Sequence, residues 1–145
     1  MCRARRSAAS SPIRGREVLA PVSPAFAPQT AFDAVIQQES GGRAGVVGPQ
    51  TPYGRALGVA QLLPATARSM ADKLGLPYRE DLLTAKTPLA ADYQRTLGEA
   101  YFNEGLARTG NLPDALRYYH GGPNRRLWGP KTQQYARDVL GRMGS

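Results

Sequence analysis

The chain has 145 residues, 41% of them hydrophobic, one Cys, one His and a net charge of +8. That length suits one domain with a modest core; a lone cysteine excludes an internal disulfide framework, and one Cys with one His excludes a conventional zinc cluster, so no metal and no cofactor is expected. No apolar run is long enough to span a bilayer, and Pro12, Arg14, Arg16 and Glu17 interrupt whatever apolar stretch could follow the basic start, so neither a transmembrane segment nor a secretory signal is expected.

Residues 1–29 read as a disordered tail. Pro12, Pro21, Pro24 and Pro28 alternate with Ala and Ser, no period persists, and five Arg stand against one Glu. Such a segment buries too little to offset its ordering entropy. Half of the chain's positive excess lies there. A basic surface favours a polyanionic partner, whether nucleic acid, anionic lipid or a wall polymer, and equally serves solubility. The folded domain is expected from Thr30 to Ser145.

Thr30, followed by Asp33, resembles a capping box that opens a first helix. Phe32, Val35, Ile36 and Glu39 share one face at helical spacing, and Gly41 with Gly42 stops the helix after Ser40. A turn-rich loop from Gly45 to Gly58 follows, with Thr51 near its middle. Pro64 suits the first turn of a second helix ending near Leu74, with Ala67, Met70, Ala71 and Leu74 inside. Thr87 and Pro88 cap and open the longest helix, which stops before Gly110 and carries the stripe Leu89, Tyr93, Leu97, Ala100 and Tyr101. Asn111 caps a short helix bearing Leu116, Tyr118 and Tyr119. A loop from His120 to Pro130 leads to a last helix, near Lys131–Arg142, with Tyr135, Val139 and Met143 on its inner face. No stretch alternates as a strand does, so the fold class is all-α, about five helices.

Glu39 is the residue with chemical promise. A carboxyl ending a helix meets the negative pole of the macrodipole, and partial burial raises its pKa in the same direction. A carboxylic acid that keeps its proton near neutrality is what cleavage of a glycosidic bond requires. Its nearest acidic neighbour, Asp33, lies about 9 Å back along the axis and off the Glu39 face, so the first helix supplies one carboxyl, not two.

Three segments carry a resemblance. Glu39-Ser40 closes the first helix; Gly58-Val59-Ala60-Gln61-Leu62-Leu63-Pro64-Ala65-Thr66-Ala67 is similar to a G-L-M-Q-x-x-P-x-T-A stretch; Tyr118-Tyr119-His120-Gly121-Gly122-Pro123 is similar to an A-Y-N-A-G-P loop. In this order they resemble the catalytic domain of the soluble lytic transglycosylases, which has a goose-type-lysozyme-like fold, over about residues 31–141. The run from His120 to Thr132 looks like versions carried by phages and prophages.

The resemblance implies cleavage of the β-1,4 bond between N-acetylmuramic acid and N-acetylglucosamine in peptidoglycan, leaving 1,6-anhydro ends, with Glu39 as acid and then base. It implies substrate contacts at Gln61, Tyr119, His120 and Thr51, and structural motif positions at Ser40, Gly58 and Gly122. Tyr118 is assigned to the core. His120 stands where the family usually has Asn, and Lys131 where it often has Glu, in Lys131-Thr132-Gln133-Gln134-Tyr135. Trp128 either stacks on a sugar or, with Leu127, fastens the last loop. The partner implied is the glycan strand, with action in the periplasm or cell wall and delivery by a phage particle or a secretion assembly. Two other readings share the fold: a hydrolysing lysozyme, and a non-catalytic wall-binding or virion structural module. A nucleic-acid binder is disfavoured because no helix is dense in Lys and Arg.

Overall fold

The computed structural model describes residues 28–144. The proposed tail, residues 1–29, lies almost wholly outside them. Six α-helices follow in order: α1 Pro28–Ser40, α2 Pro64–Leu74, α3 Glu80–Thr84, α4 Pro88–Thr109, α5 Leu112–Gly121 and α6 Pro130–Met143, with a short 3-10 turn at Arg125–Leu127. Among the described residues only isolated bridges occur, Val47 with Leu57, Thr51 with Gly54 and Leu57 with Leu62, so the domain is all-α.

Four of these helices begin and end as local chemistry dictates. Pro64, Pro88, Pro113 and Pro130 sit in first turns, where a missing N–H costs nothing. The Thr87 hydroxyl accepts from Ala90 N at 3.2 Å and the Asn111 side chain from Asp114 N at 2.9 Å. Gly75 and Gly110 close α2 and α4 in the left-handed region. The start of α1 differs from expectation. It begins at Pro28, so Thr30 lies inside the first turn, and Asp33 makes an exposed ion pair with Arg95 of α4. The five-residue α3 was not foreseen, and α5 runs through His120 to Gly121, two residues into the expected loop.

α4 is the axis on which the rest packs. α2, α3 and α5 contact it, α6 lies against α5, and α1 bridges α6 and α4. Phe32, Val35, Leu97, Phe102, Leu116 and Val139 are fully buried at the centre. Leu74 and Leu89, expected inside, are 45% and 70% exposed. Both occupy terminal turns of their helices, where the stripe runs past the neighbouring element. Tyr118 is a core residue as expected, and its hydroxyl donates to Glu104 Oε2 at 2.6 Å.

The long loop between α1 and α2 is tied down by Gln94 of α4. This side chain is 1% exposed. Its Oε1 accepts from Gly45 N at 3.0 Å and Val59 N at 2.8 Å, and its Nε2 donates to Leu82 O at 2.8 Å and Ala85 O at 2.9 Å. All four hydrogen-bonding positions of the amide are thus occupied. Gly58 lies over this amide at φ +84°, where a Cβ would come within 2.8 Å of Gln94 Cγ. Gly98, one turn further along α4, allows a similar approach: a Cβ there would collide with that of Ala60. The loop is therefore pressed onto α4 at two glycines and one amide.

Candidate active site

Glu39 ends α1, half-buried, one residue before the helix stops. The stop is built from Ser40, which is 2% exposed. Its hydroxyl donates to Ile36 O at 3.3 Å and accepts from Gly42 N at 3.1 Å, while Arg43 Nε donates to Ser40 O at 2.8 Å. The last turn is thereby held shut and the direction of the Glu39 side chain is set. No basic residue occupies the last turn to offset the dipole.

Burial pushes the Glu39 carboxyl up to about 7, and a contact with the Tyr135 hydroxyl pulls partly against it. No other carboxyl is among the influences on this proton. A group poised so can hold a proton at neutral pH and also release it.

Two phenols flank the acid. Tyr119 of α5 is buried and feels the Glu39 charge, which together with desolvation drives its own pKa well up. Its hydroxyl donates to Ala60 O at 2.7 Å, locking the motif loop against α5. Tyr101 of α4 packs behind it at 5.3 Å between ring centroids. Tyr135 of α6 is also buried and also feels the Glu39 charge. Its hydroxyl nevertheless completes no hydrogen bond of regular geometry.

His120 covers the other side of Tyr135, stacked at 4.8 Å and 28°. Its Nδ1 lies 2.9 Å from the hydroxyl of Thr132, a residue 4% exposed. The residue is exposed overall, but one ring face is covered; that burial, then the Lys131 charge, pushes the imidazole pKa down. Lys131, where the family often has Glu, thus bears on the edge of the site.

Gln61 adopts φ +53°, unusual for a residue with a side chain. Its Nε2 donates to Val46 O at 2.9 Å and Gly58 O at 3.0 Å, so both amide protons serve the loop and only Oε1, lying over Gly48, is left for a ligand. The Thr51 hydroxyl closes a turn of its own, donating to Gly54 O at 2.6 Å and accepting from Tyr53 N at 3.1 Å. Gly122 caps α5 through its N–H to Tyr118 O at 2.8 Å, and its carbonyl accepts from Trp128 Nε1 at 2.9 Å. Trp128 therefore fastens the last loop, under the guanidinium of Arg125 at 4.8 Å, while Leu127 is 64% exposed and takes no part.

The structure brings Glu39, Tyr119 and His120 into one neighbourhood and adds Tyr135, which the sequence reading left in the core stripe. Its signal was its place after Lys131-Thr132, where the family has Glu-Thr. Gln94 was missed as well, although an amide in the Ala90, Leu97, Tyr101 stripe is a polar residue where only a bonded one is tolerated. Two surface depressions lie elsewhere, along the outer side of α1 and the end of α6; one, of about 450 Å³, is lined by Thr30, Asp33, Ala34, Gln37, Arg142 and Met143. Neither includes Glu39, and they hold no carboxyl comparably shielded from water. Among the described residues no three His, Cys, Asp or Glu side chains could hold a metal ion, and no helix is long and apolar enough to cross a membrane.

Residues 25–139 match the family model described as the transglycosylase SLT domain. The chain is also similar to a protein named transglycosylase from Enterobacteria phage PRD1, 36% identical over 107 residues, which is 73% of this chain and 34% of that relative. The chain thus spans about a third of that relative's length.

Proposed function

The chain belongs to the transglycosylase SLT family, with a lysozyme-like all-α fold, and from that premise we propose that it is a lytic transglycosylase of peptidoglycan. Its domain includes the helices from Pro28 onward, and residues 1–27 add five Arg against one Glu. The observation that carries this reading is one shielded carboxyl, Glu39, held near pKa 7 between two phenols with no second carboxyl acting on it. Glycosidases with paired carboxyls need both within about 5–10 Å of each other; a single one must serve both halves of the reaction.

Glu39 gives its proton to the oxygen between N-acetylmuramic acid and N-acetylglucosamine as the C1–O bond breaks. The acetamido carbonyl of the muramic acid closes on C1 and carries the positive charge. The Glu39 carboxylate then takes the C6 hydroxyl proton, O6 bonds to C1, and the acetamido group is released. The acid is restored, no water is consumed, and a 1,6-anhydro end results. Tyr119 shapes the wall beside the acid, and His120, through Nε2, together with Gln61 Oε1 offers polar contact to sugar groups. Thr51 contributes from its turn at the loop rim. The basic surface suits the acidic wall polymer, reached from a phage particle or a secretion assembly.

Zymography on purified wall tests the acid. The wild type should clear, and Glu39→Gln should lose at least about a hundredfold in rate. Equal clearing removes Glu39 from the chemistry and leaves a wall-binding or structural module as the better account. Mass spectrometry of the products tests the outcome: anhydro ends are lighter than reducing ends by one water, and reducing ends alone would make the protein a hydrolase.

A further inference from the structure

Lys131 is the second residue of α6, at the positive pole of the helix dipole, where a cation is disfavoured. No acidic residue shares that first turn to offset it. The side chain is exposed, and among the described residues no carboxylate pairs with it. Its charge falls instead on His120, and no carboxyl is among the influences on that imidazole. Arg125, in the loop before α6, is already engaged by Asp114 at 3.3 Å and by the Trp128 ring at 4.8 Å. A lysine so placed works against the fold, and an anion bound there accounts for it.

The helix puts this lysine at the edge of the site. Lys131 and Tyr135 are four residues apart, so they share a face of α6, about 6 Å apart along its axis, and the Tyr135 hydroxyl meets Glu39. His120 fills the same corner. It stacks on Tyr135 at 4.8 Å and turns Nδ1 to the Thr132 hydroxyl at 2.9 Å, which leaves Nε2 as its second ring nitrogen. The corner is tightly built: a Cβ on Gly121 would come within 2.6 Å of the Trp128 ring and 3.0 Å of the Thr132 hydroxyl.

We propose that Lys131, with His120 Nε2 as a second donor, binds a carboxylate carried on O3 of the muramic acid residue whose C1 faces Glu39. This rests on the reading of the site as one that holds a peptidoglycan strand. Muramic acid bears a lactyl ether on O3, two ring carbons from the bond that breaks. In a strand without peptide the lactyl group ends in a carboxylate; where a stem is attached, that carboxyl is an amide and the carboxylates belong to the stem. A lysine ammonium is a compact charge on a flexible side chain, so it can follow a carboxylate in either place. N-acetylglucosamine carries neither group. Lys131 therefore tells the two sugars apart and sets the register in which muramic acid, and not its neighbour, presents C1 to the acid.

The test measures binding in the Glu39→Gln background, where no turnover is needed. The probes are stem-free strands, strands whose stems carry free carboxylates, the same strands with those carboxylates amidated, and an oligomer of N-acetylglucosamine. Adding Lys131→Gln should weaken binding of the carboxylate-bearing strands about fivefold, less at high salt, and should leave the amidated strands and the glucosamine oligomer unaffected. Lys131→Arg should keep most of the affinity, and Arg137→Gln, which removes the same charge further along α6, should change little. Loss on the stem-free strands alone assigns the carboxylate to the lactyl group, and loss on the stemmed strands alone assigns it to the stem; either supports the proposal. No loss on either, or equal loss on the uncharged probes, overturns it. The melting temperature of Lys131→Gln should not fall, since a cation leaves a helix start; a fall with equal loss on every probe marks a structural role and overturns the proposal too. The clearing assay on Glu39→Gln decides the catalytic acid separately, and its failure would leave this binding comparison standing.

Discussion

Glu39 sits between two walls of different construction. The loop wall, residues 44–63, is held by amides and backbone groups: Gln94 and Gln61 between them bond to Gly45, Val46, Gly58 and Val59. The helical wall, from α5 and α6, is held by rings: Tyr101 on Tyr119 and His120 on Tyr135. Amides do not titrate, so the first wall keeps its shape at any pH. The second wall contains the groups that sense charge, and the two protonation states of the acid are distinguished there. Rigidity and responsiveness are thus given to opposite sides of one carboxyl.

The contrast breaks most visibly at Gln94. Replacing it with Leu leaves four backbone groups without a partner and should cost roughly 3–5 kcal/mol, read as a large fall in melting temperature at every pH. A loss confined to one pH range would mean that the loop wall responds to charge after all.

The acid itself gives the next effect. Its folded pKa, about 7, lies above the ordinary value of 4.5, so the folded state holds the proton more tightly than the unfolded state. That contribution is complete below pH 4.5 and is lost as pH rises through 7. Glu39→Gln, having no charge to bury, should gain on the wild type by about 2–3 kcal/mol at pH 8 and by almost nothing near pH 4. Denaturant melts at the two pH values measure this directly, and a constant difference would show that the carboxyl is better hydrated than its surroundings indicate.

The smallest expected effect sharpens the division between the phenols. Tyr119→Phe loses the hydrogen bond to Ala60 O and should cost about 1 kcal/mol, with a fall in clearing that follows a loosened loop. Its stability loss should persist across pH. A Tyr135→Phe change should instead be felt chiefly as Glu39 ionises.

Most of the helical frame was legible because its ends are punctuated: Thr87 with Pro88, Asn111 with Pro113, and Gly75 and Gly110 each impose a local conformation that tertiary contacts merely accept. The acid was legible for a similar reason, since a helix end acts on a carboxyl whatever surrounds it. What escaped depends on partners distant in sequence. Glu80–Thr84 spans little more than one turn and has no period to read. Thr30 looked like a cap because the residues before it resembled a tail, yet the helix enters through Pro28. Gln61 offered an amide suited to sugar, but which atoms remain free depends on Val46, fifteen positions back. Tyr135 was read as a core residue despite its place after Lys131-Thr132, because only the fold puts its hydroxyl beside Glu39.

The packing of the first helix against the last has a consequence for how the molecule comes into being. Glu39 is synthesised well before Tyr135 and the helix that shelters it. A nascent polypeptide still lacking that final segment would carry an ordinary, hydrated side chain at position 39, ionised and harmless to glycans. On the proposed function, the acid would become competent only once α6 has been added, a safeguard inherent in the topology and one that needs no inhibitor.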